Sequence, residues 1–262
     1  YITGVVVALL GGFVFFGGVK RIASFTEKVV PLMAGLYILI CFIIIIINYA
    51  NIIKAFEAIF VNAFSAKSIL GGFLGMGVKK AIRYGVARGL FSNEAGMGST
   101  PHAHAIAKVK NPVEQGNVAL ITVFIDTFIV LTLTALVILT SNIGDGTLTG
   151  ITLTQRAFEN ALGYLGTIFI AIALFFFAFS TIIGWYFFGE ANIKYLFGKK
   201  AINVYRILVM IAIFIGSTQK VELVWELADL FNGLMVIPNL IALIVLYKLV
   251  DNTSSEYDKL HL

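Results

Sequence analysis

Charge is what this sequence has least of. Only 13% of its 262 residues are Asp, Glu, Lys or Arg, against about a quarter in an ordinary soluble domain. Hydrophobic residues make up 59%, which excludes a water-soluble globular chain. The net charge of +5 comes from Lys and Arg that fall between apolar runs, whereas a nucleic-acid-binding protein gathers them on one polar face. Cysteine occurs once, as Cys41 in "LICFIIIII"; no disulfide within the chain is possible, and the residue reads as packing. Neither H-E-x-x-H nor G-x-S-x-G is present, so nothing points to an enzyme. A signal peptide and an initiator methionine are also lacking. The chain opens on Tyr1 inside an apolar run, and further sequence is expected before it.

What is present is one apolar run after another. A helix needs about 20 apolar residues to cross a bilayer. Residues 1–19, 29–53, 163–189 and 230–247 carry no charge, 116–144 contains only Asp126 and 201–219 only Arg206. Lipid offers no partners to backbone groups, so these runs are expected as helices. The last run is expected to start near Val221, with Pro238 breaking or kinking it.

Residues 71–107 carry Lys79, Lys80, Arg83, Arg88 and Glu94, too many for a lipid-facing helix. Loop charge decides whether they cross, because basic residues favour the cytoplasmic side. If they cross and the loop 20–28 is inside, the inside segments 20–28, 108–115, 190–200 and 248–262 hold ten Lys or Arg. The outside segments 49–70, 141–162 and 217–229 then hold four. Without the crossing this bias is lost or reversed. Seven spans are therefore expected, with the C-terminus inside.

The polar core of 71–107 is "RGLFSNEAGMGSTPH", residues 88–102. Non-helical backbone at membrane depth is tolerated only against protein or a watery cavity, and broken helices of this kind build the central sites of transporters. Gly89, Gly96 and Gly98 let the backbone leave the helix, and Ser92, Asn93 and Glu94 can bond what lies there. The competing reading is a re-entrant loop with no ligand.

The long stretch "ARGLFSNEAGMGSTPHAHAIAKVKNPVEQGNVALITVFIDTFIVLTLTALVILT", followed by "FAFSTIIGWYFFGE" and "VWELADLFNGLMVIPNLIAL", resembles the alanine or glycine:cation symporters, also called sodium:alanine symporters. The resemblance covers nearly the whole chain. It implies an all-α integral membrane fold with a LeuT-like inverted-repeat core, of which core helices four to ten are present here and the first core helix is absent. Residues 1–250 would form a single, incomplete transmembrane transporter domain and 251–262 a cytoplasmic tail. The implied activity is secondary active symport of alanine, glycine or a similar small neutral amino acid into the cell, driven by sodium and occasionally by protons. The implied location is the cell membrane, multi-pass, with no cofactor beyond the coupling ion and no nucleic acid.

The resemblance also places residues. Residues 76–105 would be the broken sixth core helix, with Phe91, Ser92 and Asn93 facing the bound amino acid. Ser180, Thr181 and the carbonyl of Phe177 would help hold sodium, a hard cation that takes oxygen ligands. The competing reading of such hydroxyls is bonding back to their own helix. Thr181 and Trp185 are four apart and share a helix face, so Trp185 would wall the substrate pocket.

Asp126 and Glu94 are carboxylates within spans, functional by default and in need of partners. Asp126 is expected in a structural ion pair with Arg83 or Arg88, or as a site for a coupling proton. Glu94 invites the same two readings, an ion pair or a coupling proton, or it holds the broken helix by hydrogen bonds without touching substrate. His102 and His104 match no metal spacing and read as a cytoplasmic helix end. Gly71–Gly75 and Gly85–Gly89 fit close helix packing. Two readings compete with a symporter, a channel and a non-transporting scaffold. Neither saturates with substrate or depends on an ion gradient. Within the resemblance, proton coupling or a preference for glutamine or serine stays open.

Overall fold

The computed structural model describes residues 1–64, 75–143 and 148–261. The described chain is helical, with no strand. In order it forms α1 (Ile2–Phe15), α2 (Gly18–Ile47), a 3-10 turn (Tyr49–Asn51), α3 (Ile52–Phe64), α4 (Gly75–Asn93) and α5 (Pro101–His104). It continues with α6 (Pro112–Phe124), a π-helical turn (Ile125–Val130), α7 (Leu131–Thr140), α8 (Gly150–Leu162) and α9 (Tyr164–Phe197). A 3-10 turn (Lys199–Ala201), α10 (Ile202–Gly216) and α11 (Val221–His261) complete it.

Among the described residues, α2, the continuous rod Pro112–Thr140, α9 and α11 are long and apolar enough to cross a membrane. Two expected spans are shorter. Helices α1 and α10 have 14 and 15 residues, or about 21–23 Å at 1.5 Å per residue, short of a hydrocarbon core about 30 Å thick. Helix α11 starts at Val221 as expected, but Pro238 does not end it. Its 41 residues run on through 251–261. The most apolar stretch of α11 has none of its residues buried, which fits a lipid surrounding and not water.

The segments read as loops are mostly helix. Residues 20–28 belong to α2, 190–197 to α9, and the loops 49–70 and 141–162 contain α3 and α8. Their amphipathic sequences carry too much charge to register as apolar runs, yet each has an apolar face to bury. Gly71 of the Gly71–Gly75 pair lies outside the described residues. Close packing at Gly85 and Gly89 is not found: no described atom lies within 4 Å of a Cβ added at either.

The chain separates into two compact units, Tyr1–Glu27 with Leu90–Val123 and Phe179–Leu262, and Lys28–Gly89 with Phe124–Ala178. The core of the second unit follows helical spacing. Tyr37, Cys41 and Ile44 on α2 meet Leu133, Leu136 and Val137 on α7, Ala157 and Phe158 on α8, and Ile170 and Ala173 on α9. Cys41 is a fully buried free thiol, as its setting implies. The Phe177 ring stands edge-on to Tyr37 at 5.3 Å. The Tyr37 hydroxyl and Thr134 Oγ1 are 2.7 Å apart. Asn51 Nδ2 donates to the Thr140 carbonyl at 2.9 Å and Asn160 Nδ2 to the Ser141 carbonyl at 3.1 Å. These amides take up carbonyls that the end of α7 leaves open. Gly163, at φ +61°, turns α8 into α9, and Gly166 then lies against the Phe158 carbonyl.

In the first unit, α1 and α10 pack as an antiparallel pair, with Gly4 opposite Ser217, Gly11 opposite Ile213 and Gly12 opposite Met210. Lipid is as apolar as a side chain, so small residues that permit close approach drive such packing. Phe15 stacks on Tyr186 of α9 with ring centroids 3.8 Å apart, and Tyr186 stacks on Tyr205 of α10 at 5.5 Å. The Tyr186 hydroxyl donates to the Glu190 carboxylate and accepts from Arg206 Nε at 3.1 Å. Arg206 Nη2 lies 3.6 Å from Glu190 Oε2. This partly buried ion pair joins α9 to α10, and it makes Arg206, the charge inside an expected span, a structural residue.

Two changes test this packing by thermal unfolding of the purified protein in detergent. Gly166→Ala pushes a methyl into the Phe158 carbonyl and is expected to cost about 1–3 kcal/mol, whereas Gly184→Ala, with open space around its Cβ, is expected to cost nothing. Arg206→Met strands the Glu190 carboxylate and is expected to cost about 3–5 kcal/mol. Adding Glu190→Gln should recover most of that loss.

Candidate functional site

The break in the helix falls where the polar stretch implies. Helix α4 ends at Asn93, whose Oδ1 accepts the Ala95 N–H at 3.0 Å. That bond competes with the next turn of helix, as Asn side chains do at helix ends. The backbone then takes positive φ at Glu94 (+55°), Gly96 (+78°) and Gly98 (+89°), and helix resumes only for the single turn of α5. Glycine adopts this region freely. A non-glycine residue there is uncommon, so Glu94 is held by something.

What holds it is a set of side-chain bonds. Ser99, itself buried, donates its hydroxyl to Glu94 Oε2 at 2.5 Å. The Trp185 indole of α9 also approaches the Glu94 carboxyl. The Met97 N–H returns to the Glu94 carbonyl at 3.2 Å, and the Met97 side chain is buried. Glu94 thus accepts from the Ser99 hydroxyl through its carboxylate and from the Met97 N–H through its carbonyl.

Two further helices take part. Asn239 Nδ2 of α11 donates to the Gly96 carbonyl at 2.9 Å. A Cβ at Gly98 would lie 3.0 Å from Asn239 Cβ, so a side chain there would be crowded as well as strained by the positive φ. Phe91, in the last turn of α4, meets Trp225 of α11 edge-on at 5.3 Å. Beyond the break, the His102 ring nitrogens reach the Ser99 carbonyl at 2.8 Å and Asn192 Nδ2 of α9 at 2.9 Å. His104 Nδ1 accepts from Gln115 Nε2 of α6 at 2.7 Å.

The candidate residues divide accordingly. Phe91, Ser92 and Asn93 form the end of α4 and are half-buried. Trp185 is drawn to the break through Glu94. Thr181 lies one turn before Trp185 on α9, exposed, with Ser180 half-buried beside it. Phe177 stands earlier on α9, in the core of the second unit. Asp126 sits in the π-helical turn Ile125–Val130, a distortion that recurs at functional sites. Among the described residues, no three His, Cys, Asp or Glu side chains gather as a metal-ligand set. Trp225, Asn239 and Asn192 are the neighbours of the break that sequence reasoning missed. Asn239 directly follows Pro238, but the proline drew attention only as a helix breaker.

Comparison with known proteins gives the family of the chain. The model of the sodium:alanine symporter family matches residues 1–261. The chain is 41% identical to the sodium/alanine symporter AgcS of Methanococcus maripaludis, over 99% of this chain and 57% of that protein. It is 43% identical to the probable sodium/glutamine symporter GlnT of Bacillus subtilis, over 98% of this chain and 53% of that one. A sodium/proton-dependent alanine carrier protein of Bacillus sp. strain PS3 is 36% identical, over 98% and 61%. The chain spans about half the length of the curated relatives it matches. A helical chain with apolar spans, broken by a tethered polar turn and matched end to end by this model, is a membrane protein and belongs to the sodium:alanine symporter family.

Proposed function

We propose that the protein is a secondary active transporter that brings a small neutral amino acid into the cell together with sodium. The observation that carries this reading is the break at 94–100, a stretch of non-helical backbone tied to α9 and α11 in a chain of this family. A zwitterion needs partners for a carboxylate and an ammonium. Unwound backbone supplies N–H and C=O groups of both polarities without buried charge. Phe91, Ser92 and Asn93 line the amino acid at the end of α4, and Trp185 limits its size. Alanine and glycine are the substrates that such a wall admits best. Relatives named for alanine and for glutamine bracket the range.

Sodium is held by neutral oxygens on α9: the hydroxyls of Ser180 and Thr181 and the carbonyl of Phe177. The Phe177 carbonyl belongs to the residue four before Thr181 on the same helix. Asp126 and Glu94 serve structure or coupling. A relative named as sodium/proton-dependent favours testing protons alongside sodium. The core is LeuT-like, with α1 to α11 supplying core helices four to ten, residues 1–250 forming one transporter domain in the cell membrane and the tail inside. Transport is by alternating access, one group of helices turning about the bound amino acid. Coupling requires each ligand to favour the same state, so sodium tightens alanine binding and the reverse.

The test is radiolabelled alanine uptake into proteoliposomes holding the full-length protein. Saturable uptake under an inward sodium gradient is expected. Uptake under a proton gradient alone would replace sodium as the coupling ion, and uptake under neither would overturn the reading. Ser180→Ala and Thr181→Ala are each expected to raise the sodium concentration needed for half-maximal uptake by about 5–10-fold, the worth of one lost oxygen ligand at about 1–1.4 kcal/mol. An unchanged sodium response in Ser180→Ala would remove that site. Trp185→Ala is expected to admit larger neutral amino acids, read from competition by glutamine against labelled alanine.

A further inference from the structure

Helix α11 meets the broken helix on both sides of the break. Before it, the Trp225 ring stands edge-on to Phe91 at 5.3 Å. After it, Asn239 Nδ2 donates to the Gly96 carbonyl at 2.9 Å, and Asn239 Cβ lies 3.0 Å from where a Cβ at Gly98 would stand. The partner fixes the direction of this amide, because a carbonyl only accepts and the NH2 end alone donates. The close approach at Gly98 holds whichever way the amide turns.

Trp225 and Asn239 are fourteen residues apart. That spacing sets them about 21 Å apart along α11 and within about 40° of one another around it. The half-buried residues between them, Ala228, Asp229, Asn232, Met235 and Val236, recur at the three- and four-residue spacing of one helix face. The remaining positions of this stretch are exposed. One face of α11 therefore lies along the break.

Residues 96–98 have little of their own to hold them. Gly96 and Gly98 both take positive φ, and glycine has no side chain to fix the direction of its peptide groups. The Met97 N–H and the Ser99 hydroxyl both return to Glu94, which closes the turn on itself. Among the described residues, the hydrogen bond that joins 96–98 to another helix comes from Asn239.

We infer that Asn239 is a positioning residue for the bound amino acid. By holding the Gly96 carbonyl against α11 it fixes the path of residues 96–98, and with it the direction of the unwound backbone groups that meet the substrate. The inference rests on the proposed site at the break; Asn239 acts through the backbone and does not touch the substrate. Without the tether the break opens more often, and apparent affinity falls with the fraction of protein in the competent form. Bound substrate restores that form, so the maximal rate is unaffected.

Asn239→Leu removes the donor at nearly constant volume. Lipid accepts leucine on a helix more readily than an amide, so α11 itself is not weakened. Two measurements on the full-length protein test the inference. The first is hydrogen–deuterium exchange in detergent, without substrate or sodium. In Asn239→Leu the N–H groups of residues 94–100 are expected to exchange about fivefold faster, the worth of one neutral hydrogen bond, while those of α1 and α10 keep the parental rate. The second is sodium-driven alanine uptake, where the KM is expected to rise about fivefold at an unchanged maximal rate. Asn239→Gln keeps an amide donor and is expected to lie near the parent in both. Asn232→Leu, the same change seven residues earlier on the same face, is expected to leave exchange at 94–100 unaltered. Parental exchange at 94–100 in Asn239→Leu would overturn the tether, as would equal acceleration in α1, in Asn232→Leu or in Asn239→Gln. Faster exchange with an unchanged KM would overturn the positioning role. If no uptake occurs under any gradient, the transport reading fails, and exchange alone decides whether Asn239 holds the break.

Discussion

A helix that stops leaves backbone N–H and C=O groups without helical partners, and within a membrane each is to be met by another part of the chain. At 94–100 this constraint shapes everything nearby. The Asn93 side chain takes one N–H, the Met97 N–H turns back to Glu94, Asn239 takes the Gly96 carbonyl and His102 takes that of Ser99. These partners come from the turn itself and from α11, while Trp185 and Asn192 bring in α9. The break is thus a junction of helices, and its conformation depends on all of them.

Such a junction needs firm supports. In the first unit these come from the antiparallel α1–α10 pair, which glycines bring to close contact, and from the Glu190–Tyr186–Arg206 cluster, which attaches α9 to α10. Dispersion and buried polar contacts are the available forces, because moving an apolar side chain from lipid to protein gains little. The second unit relies on the same forces, with a Tyr37–Thr134 bond inside an apolar core and amides closing the carbonyls at the end of α7. Strain at Glu94 is tolerated because the carboxylate, which glycine would lack, is the attachment point for Ser99 and Trp185.

Several features were legible from residue patterns. Asn93 next to alternating Gly96 and Gly98 marks where the helix ends, and long apolar runs mark α2, the α6–α7 rod, α9 and α11. Others were hidden. Helices α3 and α8 read as loops because hydropathy registers continuous apolar runs and not one apolar face. Pro238 read as a break or kink because the lost N–H is visible in sequence, yet α11 runs through it as one helix. Asn239 and Asn192 were invisible as site residues, since an amide in an apolar helix has meaning only once its acceptor is known.

Composition and the order of polar and apolar residues therefore determined, without any structure, that this is a helical membrane chain, where its helix breaks and which family it resembles. Those properties are local, set by transfer of side chains into lipid and by the backbone freedom of particular residues. Which side chains close the break, that Trp185 approaches it through Glu94, that Arg206 is matched by Glu190 and that His102 meets Asn192 were decided only by tertiary structure. Hydrogen bonds and ion pairs act over about 3–4 Å between residues far apart in sequence, and no pattern along the chain specifies which of them will come that close.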